Sequence, residues 1–227
     1  MEYLINKNDK IFIAGHNGMA GSAILRAFKK KGYKNIICSN RSHLDLEDIS
    51  QVDNFMRKET PNVVILAAAK VGGIMANYKF PADFILRNLK IQTNVIESSW
   101  KNNVKRFLFL GSSCIYPKLS EQPIKEEYLL RGDLEKTNEY YALAKIAGIK
   151  LCQALNKQYG FDAICLMPTN LYGTGDNYDP QTSHVLPALI KKFCDAKKNN
   201  HNEVICWGDG SPFREFLHCD DLGEASL

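Results

Sequence analysis

Short apolar runs without polar alternation recur along the chain, separated by longer stretches with helical periodicity. The runs are 10–14, 35–39, 63–67, 106–110 and 163–167. Between them, 19–31, 48–59, 81–103 and 139–159 repeat apolar residues every three or four positions. Pro61 closes the second helical stretch, Gly160 the fourth, and Pro168 stops the fifth apolar run. Strands apolar on both faces and alternating with helices predict a parallel sheet covered on both sides. The fold class expected is therefore α/β, a doubly wound parallel sheet of the Rossmann type.

After Pro168 the character changes, with Asn, Asp, Gly and Pro clustered from Asn170 to Pro180. Such a stretch is expected to line a cleft at the carboxyl ends of the strands. The chain then divides into a nucleotide-binding domain over 1–168 and part of a smaller substrate-binding region over 169–227.

Composition narrows the possibilities. With 227 residues, 45% hydrophobic and 24% charged, the chain is an ordinary globular protein. A net charge of +4 suits an anionic small molecule and argues against nucleic acid, which asks for a concentrated basic stripe. The run Lys29-Lys30-Lys31 ends a predicted helix, where cations complement the helix dipole. Seven cysteines include no C-x-x-C pair, and the first strand lies too near the start for a secretory leader. A cytoplasmic protein without disulfides or metal is expected. No apolar run approaches the roughly 20 residues that span a bilayer, so no membrane partner is expected.

Gly15-His16-Asn17-Gly18-Met19-Ala20-Gly21 joins the first strand to the first helix. In that position the first glycine makes a tight turn, the second lets backbone N–H groups approach a pyrophosphate, and the third packs helix on strand. The second strand ends Ser39-Asn40-Arg41-Ser42. An acid there would bind the ribose 2′-hydroxyl of NAD; its absence, with Arg41 present, predicts NADP(H). Asp45 and Leu46 flank the adenine, or Asp45 caps a helix. The small residues Ala67, Ala68, Ala69, Gly72 and Gly73 after the third strand leave room for the cofactor or for close packing.

Tyr141 and Lys145 stand at i and i+4, on one face of a helix. A tyrosine near pKa 10 is a weak proton donor and acceptor at neutral pH, and a lysine cation beside it is expected to draw that value down. Ser112 and Ser113, after the fourth strand, offer a hydroxyl to the same substrate oxygen, or serve as turn residues.

Glycine loop, strand-end serine and Tyr-x-x-x-Lys together resemble the extended short-chain dehydrogenase/reductase family. Longer matches point to its GDP-sugar epimerase–reductases: 12–16, 66–74, 111–118, 168–173, 183–189, 207–210 and 214–218. The resemblance covers essentially the whole chain. It implies an enzyme that epimerises C3 and C5 of a GDP-4-keto-6-deoxy-mannose and then reduces C4 with NADPH. Cys114 and His184 match the epimerisation base and acid, with the thiol expected to be lowered by nearby cations. Ala68, Gly111, Ser112, Ser113, Pro168, Thr169, Asn170, Leu171 and His184 match positions beside the cofactor, and Asn88 one that orders the site. Lys192, Trp207 and Arg214 match substrate contacts. The helices over 81–103 and 139–159 match a homodimeric four-helix contact.

Two departures qualify this. Asn17 stands where bacterial relatives often carry an arginine, so Arg41 bears most of the discrimination and use of NAD as well stays open. Family members also run on past the position of Leu227, which makes the chain a fragment or a truncated form of the substrate region. A reductase of another GDP-4-keto sugar, such as a 6-deoxy-heptose, and a catalytically silent NADP-binding module are the alternatives. Intact Ser112, Tyr141 and Lys145 argue against the second.

Overall fold

The structure is a computed structural model that describes residues 5–179 and 182–227; Pro180, at the end of the predicted cleft segment, lies outside them. Five parallel strands form the main sheet: β1 (Ile11–Ala14), β2 (Ile36–Ile37), β3 (Val63–Leu66), β4 (Arg106–Leu110) and β5 (Ala163–Leu166), in the order β2-β1-β3-β4-β5. The chain leaves β1 for one side and returns on the other, so the strand order reverses between β1 and β3. Ligands bind open α/β sheets at such a reversal, outside the carboxyl ends of the strands.

The strands bury both faces, and their residues divide by parity. Phe12, Ala14, Val64, Leu66, Phe107 and Phe109 point into one core cluster. There they meet α2 (Ile49–Glu59), α4 (Pro81–Lys101) and α5 (Glu139–Tyr159) through Val52, Met56, Val95, Ile96 and Ile149. Ile11, Ile13, Val63, Ile65, Leu108 and Leu110 point the other way, onto Ile24 and Phe28 of α1 (Met19–Lys30). Each such side chain taken from water contributes about 1.5–3 kcal/mol. Asp48 caps α2, accepting from the N–H groups of Ser50 and Gln51. Gly160 ends α5 in the left-handed conformation.

Strand β2 is shorter than the sequence pattern predicts because it is an edge paired over two residues only. Helix α3 (Ile74–Lys79) is an element the pattern did not mark. Beyond β5, β6 (Asn170–Tyr172) and β7 (Phe216–His218) pair with each other in a separate two-stranded sheet, and α6 (Val185–Lys198) lies between them in sequence. Helix α7 (Cys219–Ala225) returns to α1: Asp220 and Glu224 pair with Arg26 and Lys30, and Leu222 joins the second cluster. Gly223 permits this approach, since a Cβ there would stand 2.7 Å from the Ala23 carbonyl oxygen.

Candidate active site

The glycine loop is built by sterics at two of its three glycines. Gly15 has φ +90°, and a Cβ on it would sit 2.5 Å from the backbone nitrogen of Ala68 at the end of β3. A Cβ on Gly21 would sit 2.2 Å from the Gly15 carbonyl oxygen. Gly18 is different. It is exposed, and a Cβ there would meet no protein atom nearer than 3.5 Å. Packing therefore does not require glycine at 18, whereas a phosphate against bare backbone at the start of α1 does. His16 adds a buried ring nitrogen, Nδ1, without a protein partner, and the first turn of α1 carries no acid to repel an anion. Met19 opens α1 and Ala20 packs into the second core cluster. This cradle fits a dinucleotide pyrophosphate.

At the end of β2, Asn17 donates from Nδ2 to Asn40 Oδ1 at 2.8 Å, tying the glycine loop to the neighbouring strand end. Arg41 is paired: it donates to Glu47 Oε1 at 2.8 Å and lies 3.7 Å from Asp45 Oδ2. Arg87, on α4, donates to the same Glu47 oxygen at 2.8 Å. An anion arriving here competes with Glu47 for Arg41 and finds a second arginine alongside. No local motif marks Arg87; it reaches Glu47 across the packing of α4. Asp45 accepts from the Glu47 N–H in a turn and caps no helix, that role falling to Asp48. Leu46 packs on the first core cluster and Ser42 touches His43.

Past Leu110 the chain turns through Gly111 into a short 3-10 turn over Ser113–Ile115. The Gly111 N–H donates to the Leu166 carbonyl at 2.8 Å and that of Ser113 to Pro168 at 3.2 Å, joining the ends of β4 and β5. Ser112 Oγ accepts weakly from the Cys114 N–H at 3.5 Å. Helix α5 brings Tyr141 and Lys145 beside this turn. Lys145 is buried, donates from Nζ to the Leu110 carbonyl at 2.7 Å, and lies 5.9 Å from the centre of the Tyr141 ring. Phe84 of α4 meets the Tyr141 ring edge-on at 6.3 Å. The Ser112 hydroxyl faces both the Tyr141 phenol and the Cys114 thiol and favours the charged form of each.

The electrostatics of this cluster correct the sequence expectation. Burial pushes the Tyr141 phenol well above its ordinary value, Cys114 adds to the rise, and Ser112 opposes it. Burial also pushes the Cys114 thiol up, against smaller downward pulls from Ser112 and Lys145. Lys145 is lowered to about 8, chiefly by burial, which Cys114 partly offsets. Desolvation disfavours each charged form more than the neighbours favour it. At neutral pH the phenol and thiol therefore both hold their protons.

The remaining residues are placed less tightly. Buried Asn88 accepts from the Lys70 N–H at 2.8 Å and donates to the carbonyls of Lys70 and Phe84 at 2.9 and 2.8 Å, fixing the loop after β3. Thr169 is half-buried between β5 and β6, Asn170 donates from Nδ2 to the Glu215 carbonyl at 2.9 Å, and Leu171 packs into the second cluster. His184 is exposed at the N-cap of α6, where its side chain makes no capping bond. Lys192 donates to the Ile205 carbonyl at 3.0 Å with its Nζ 4.6 Å over the Trp207 ring. Trp207 is 75% exposed. Arg214 donates back to the carbonyl of its neighbour Phe213 at 2.7 Å. Among the described residues no helix is long and apolar enough to cross a membrane, and no three His, Cys, Asp or Glu side chains could hold a metal ion.

The chain resembles known proteins over nearly its whole length. The profile of the NAD dependent epimerase/dehydratase family matches residues 11–227. A putative GDP-L-fucose synthase from Arabidopsis thaliana is 58% identical over 99% of this chain and 69% of its own length. The GDP-L-fucose synthase of Escherichia coli is 53% identical over 96% of this chain and 68% of its own. Among solved structures, a GDP-mannoheptose C4 reductase from Campylobacter jejuni with NADP bound superimposes with a TM-score of 0.89. It shares 40% identity and is covered to 74%, against 98% of this chain. A GDP-L-fucose synthetase from Naegleria fowleri bound to NADP gives 0.86 at 30% identity, over 98% and 72%.

Proposed function

Since the chain belongs to the NAD dependent epimerase/dehydratase family, we propose that it carries the activity of GDP-L-fucose synthase. GDP-4-keto-6-deoxy-D-mannose would be epimerised at C3 and C5 and reduced at C4 to GDP-L-fucose. One observation carries this reading: the turn after β4 and helix α5 bring the Cys114 thiol together with Ser112, Tyr141 and buried Lys145. A ketone reductase needs Ser112, Tyr141 and Lys145. A thiol held against the same hydroxyl serves a different purpose, removing a proton from the carbon next to the carbonyl.

The cofactor is NADP(H), supported by the NADP-bound relatives and by the absence of an acid at the end of β2. When bound it supplies the hydride for C4. The protein does the rest. Gly15 to Gly21 would hold the pyrophosphate, and Arg41 and Arg87 would be available to the ribose phosphate. Ser112 and Tyr141 donate hydrogen bonds to the C4 oxygen, stabilising the enolate formed as a proton leaves C3 or C5. Cys114, acting as the thiolate once its own proton has passed to solvent, takes that proton, and His184 returns one to the opposite face. Tyr141, kept protonated by burial, then gives its proton to the C4 oxygen, and the Lys145 cation stabilises the phenolate left behind. Trp207 offers a face for guanine, and Lys192 and Arg214 meet the diphosphate. The division at residue 168 belongs to the same proposal, with α7 holding the second segment to the first.

A second copy is expected to pair through α4 and α5, where Leu86, Leu143 and Tyr159 remain exposed; light scattering should return a dimer. All seven cysteines are free, which suits the cytosol. The decisive test is incubation with NADPH and the 4-keto sugar in heavy water, following 340 nm absorbance and deuterium at C3 and C5. Exchange at both carbons with oxidation is expected, and Cys114→Ser should stop the exchange. Oxidation without exchange would mark a simple reductase of a related GDP-4-keto sugar, and neither signal a silent module.

A further inference from the structure

Not all the small residues after β3 serve the glycine loop: at Gly73 the neighbour is the segment carrying His184. Gly73 donates its N–H to the Thr182 carbonyl at 3.0 Å. A Cβ on Gly73 would stand 2.4 Å from the carbonyl oxygen of Ser183, a backbone atom with no rotamer by which to retreat. The conformation of Gly73 is ordinary, with φ −65° and ψ −179°, so glycine is required here by the approaching loop and not by the turn. Asn77, buried one helical turn later, donates from Nδ2 to the carbonyls of Gly72 at 2.8 Å and Gly73 at 3.1 Å. On the other side, the Ser183 N–H donates to the Asp179 carbonyl at 2.9 Å. The segment before α6 is thereby clamped to the carboxyl end of the main sheet, although His184 itself is exposed and uncapped.

We propose that Gly73 and Asn77 are positioning residues for epimerisation, setting the height of His184 above the sugar through the Gly73–Thr182–Ser183 contact. This rests on the assignment of His184 as the acid that returns a proton to carbon. A displaced general acid loses rate steeply: a misplacement of about 1 Å costs about a hundredfold. Hydride transfer at C4 depends on Ser112, Tyr141 and Lys145, none of which hydrogen-bonds to Gly73 or Asn77.

The test is deuterium incorporation at C3 and C5 measured for Gly73→Ala, Asn77→Ala, His184→Gln and the doubles of each clamp variant with His184→Gln. NADPH binding by fluorescence and a melting curve confirm that each variant is folded. Gly73→Ala should slow incorporation about a hundredfold and Asn77→Ala about tenfold, with NADPH affinity unchanged. In the His184→Gln background neither should slow it further, because both act through the residue already removed. Multiplying losses in the doubles, or normal incorporation in Gly73→Ala beside a slow His184→Gln, overturns the clamp. Normal incorporation in His184→Gln overturns the assignment of His184, and with it the purpose of the clamp. Should Gly73→Ala fail to fold, Asn77→Ala decides alone, since it removes two hydrogen bonds without adding an atom.

Discussion

The two ends of the site are made in opposite ways. At the pyrophosphate end the shape is backbone against backbone, with Gly15 pressed on Ala68 and Gly21 on Gly15. At the sugar-nucleotide end the residues are side chains on an open surface: Trp207 is 75% exposed, Phe213 97%, and Gly208 and Gly210 have nothing within 4 Å of a would-be Cβ. Between them lies the buried Ser112–Tyr141–Lys145 cluster, where desolvation sets the protonation. The first end is close-packed backbone, and the second is exposed side chain. Substitutions at the first should therefore damage fold and affinity together, whereas those at the second should damage affinity alone.

The sharpest way to probe that contrast starts in the middle. Lys145→Met should lower the reduction rate by about 10²–10⁴-fold, as expected for loss of a group supporting proton transfer, measured by single-turnover absorbance at 340 nm. The same variant separates chemistry from stability. Lys145 is lowered in the fold to about 8 from 10.5, so the folded state sheds its proton first and the unfolded state binds more protons in between. Wild-type stability should thus rise relative to Lys145→Met from pH 8 to pH 10.5, with no differential change below pH 8. The reduction rate should fall over the same rise through pH 8, because the cation that supports Tyr141 is lost. A reversed stability trend in parallel melting curves would show that Lys145 is held charged.

Gly21→Ala comes next. Its methyl meets the Gly15 carbonyl, so the fold should lose about 1–3 kcal/mol and NADPH affinity should drop by more than about tenfold, read by urea melts and fluorescence titration. Intact affinity in a destabilised protein would mean the loop is not the cofactor cradle. Trp207→Ala should raise the KM for the GDP-sugar about tenfold, the order of a lost stacking contact. Its melting temperature should stay nearly constant, since exposed substitutions change stability by less than about 0.5 kcal/mol. A large stability loss would erase the contrast between the two ends of the site. The smallest effect is expected from Asn17→Arg, which should shift preference toward NADPH over NADH by about tenfold through one added charge-assisted contact, compared by Kd ratios.

The sheet, its strands and the glycine loop were legible in the sequence because their causes are local. A run such as Phe12-Ile13-Ala14 must be buried on both faces, and glycines between a strand and a helix have one common use. Tyr141 and Lys145 were legible for the same reason, four residues apart on a helix. Arg87 was not, because it meets Glu47 only where α4 passes the end of β2, and the use of Gly73 was not, because its partner Ser183 lies in a distant segment. The sequence by itself determined which groups are present and which strand end each occupies. Tertiary structure alone decided their charge: proximity of Lys145 argued for a lowered phenol and thiol, yet burial, which no spacing rule reports, pushed both up and the lysine down.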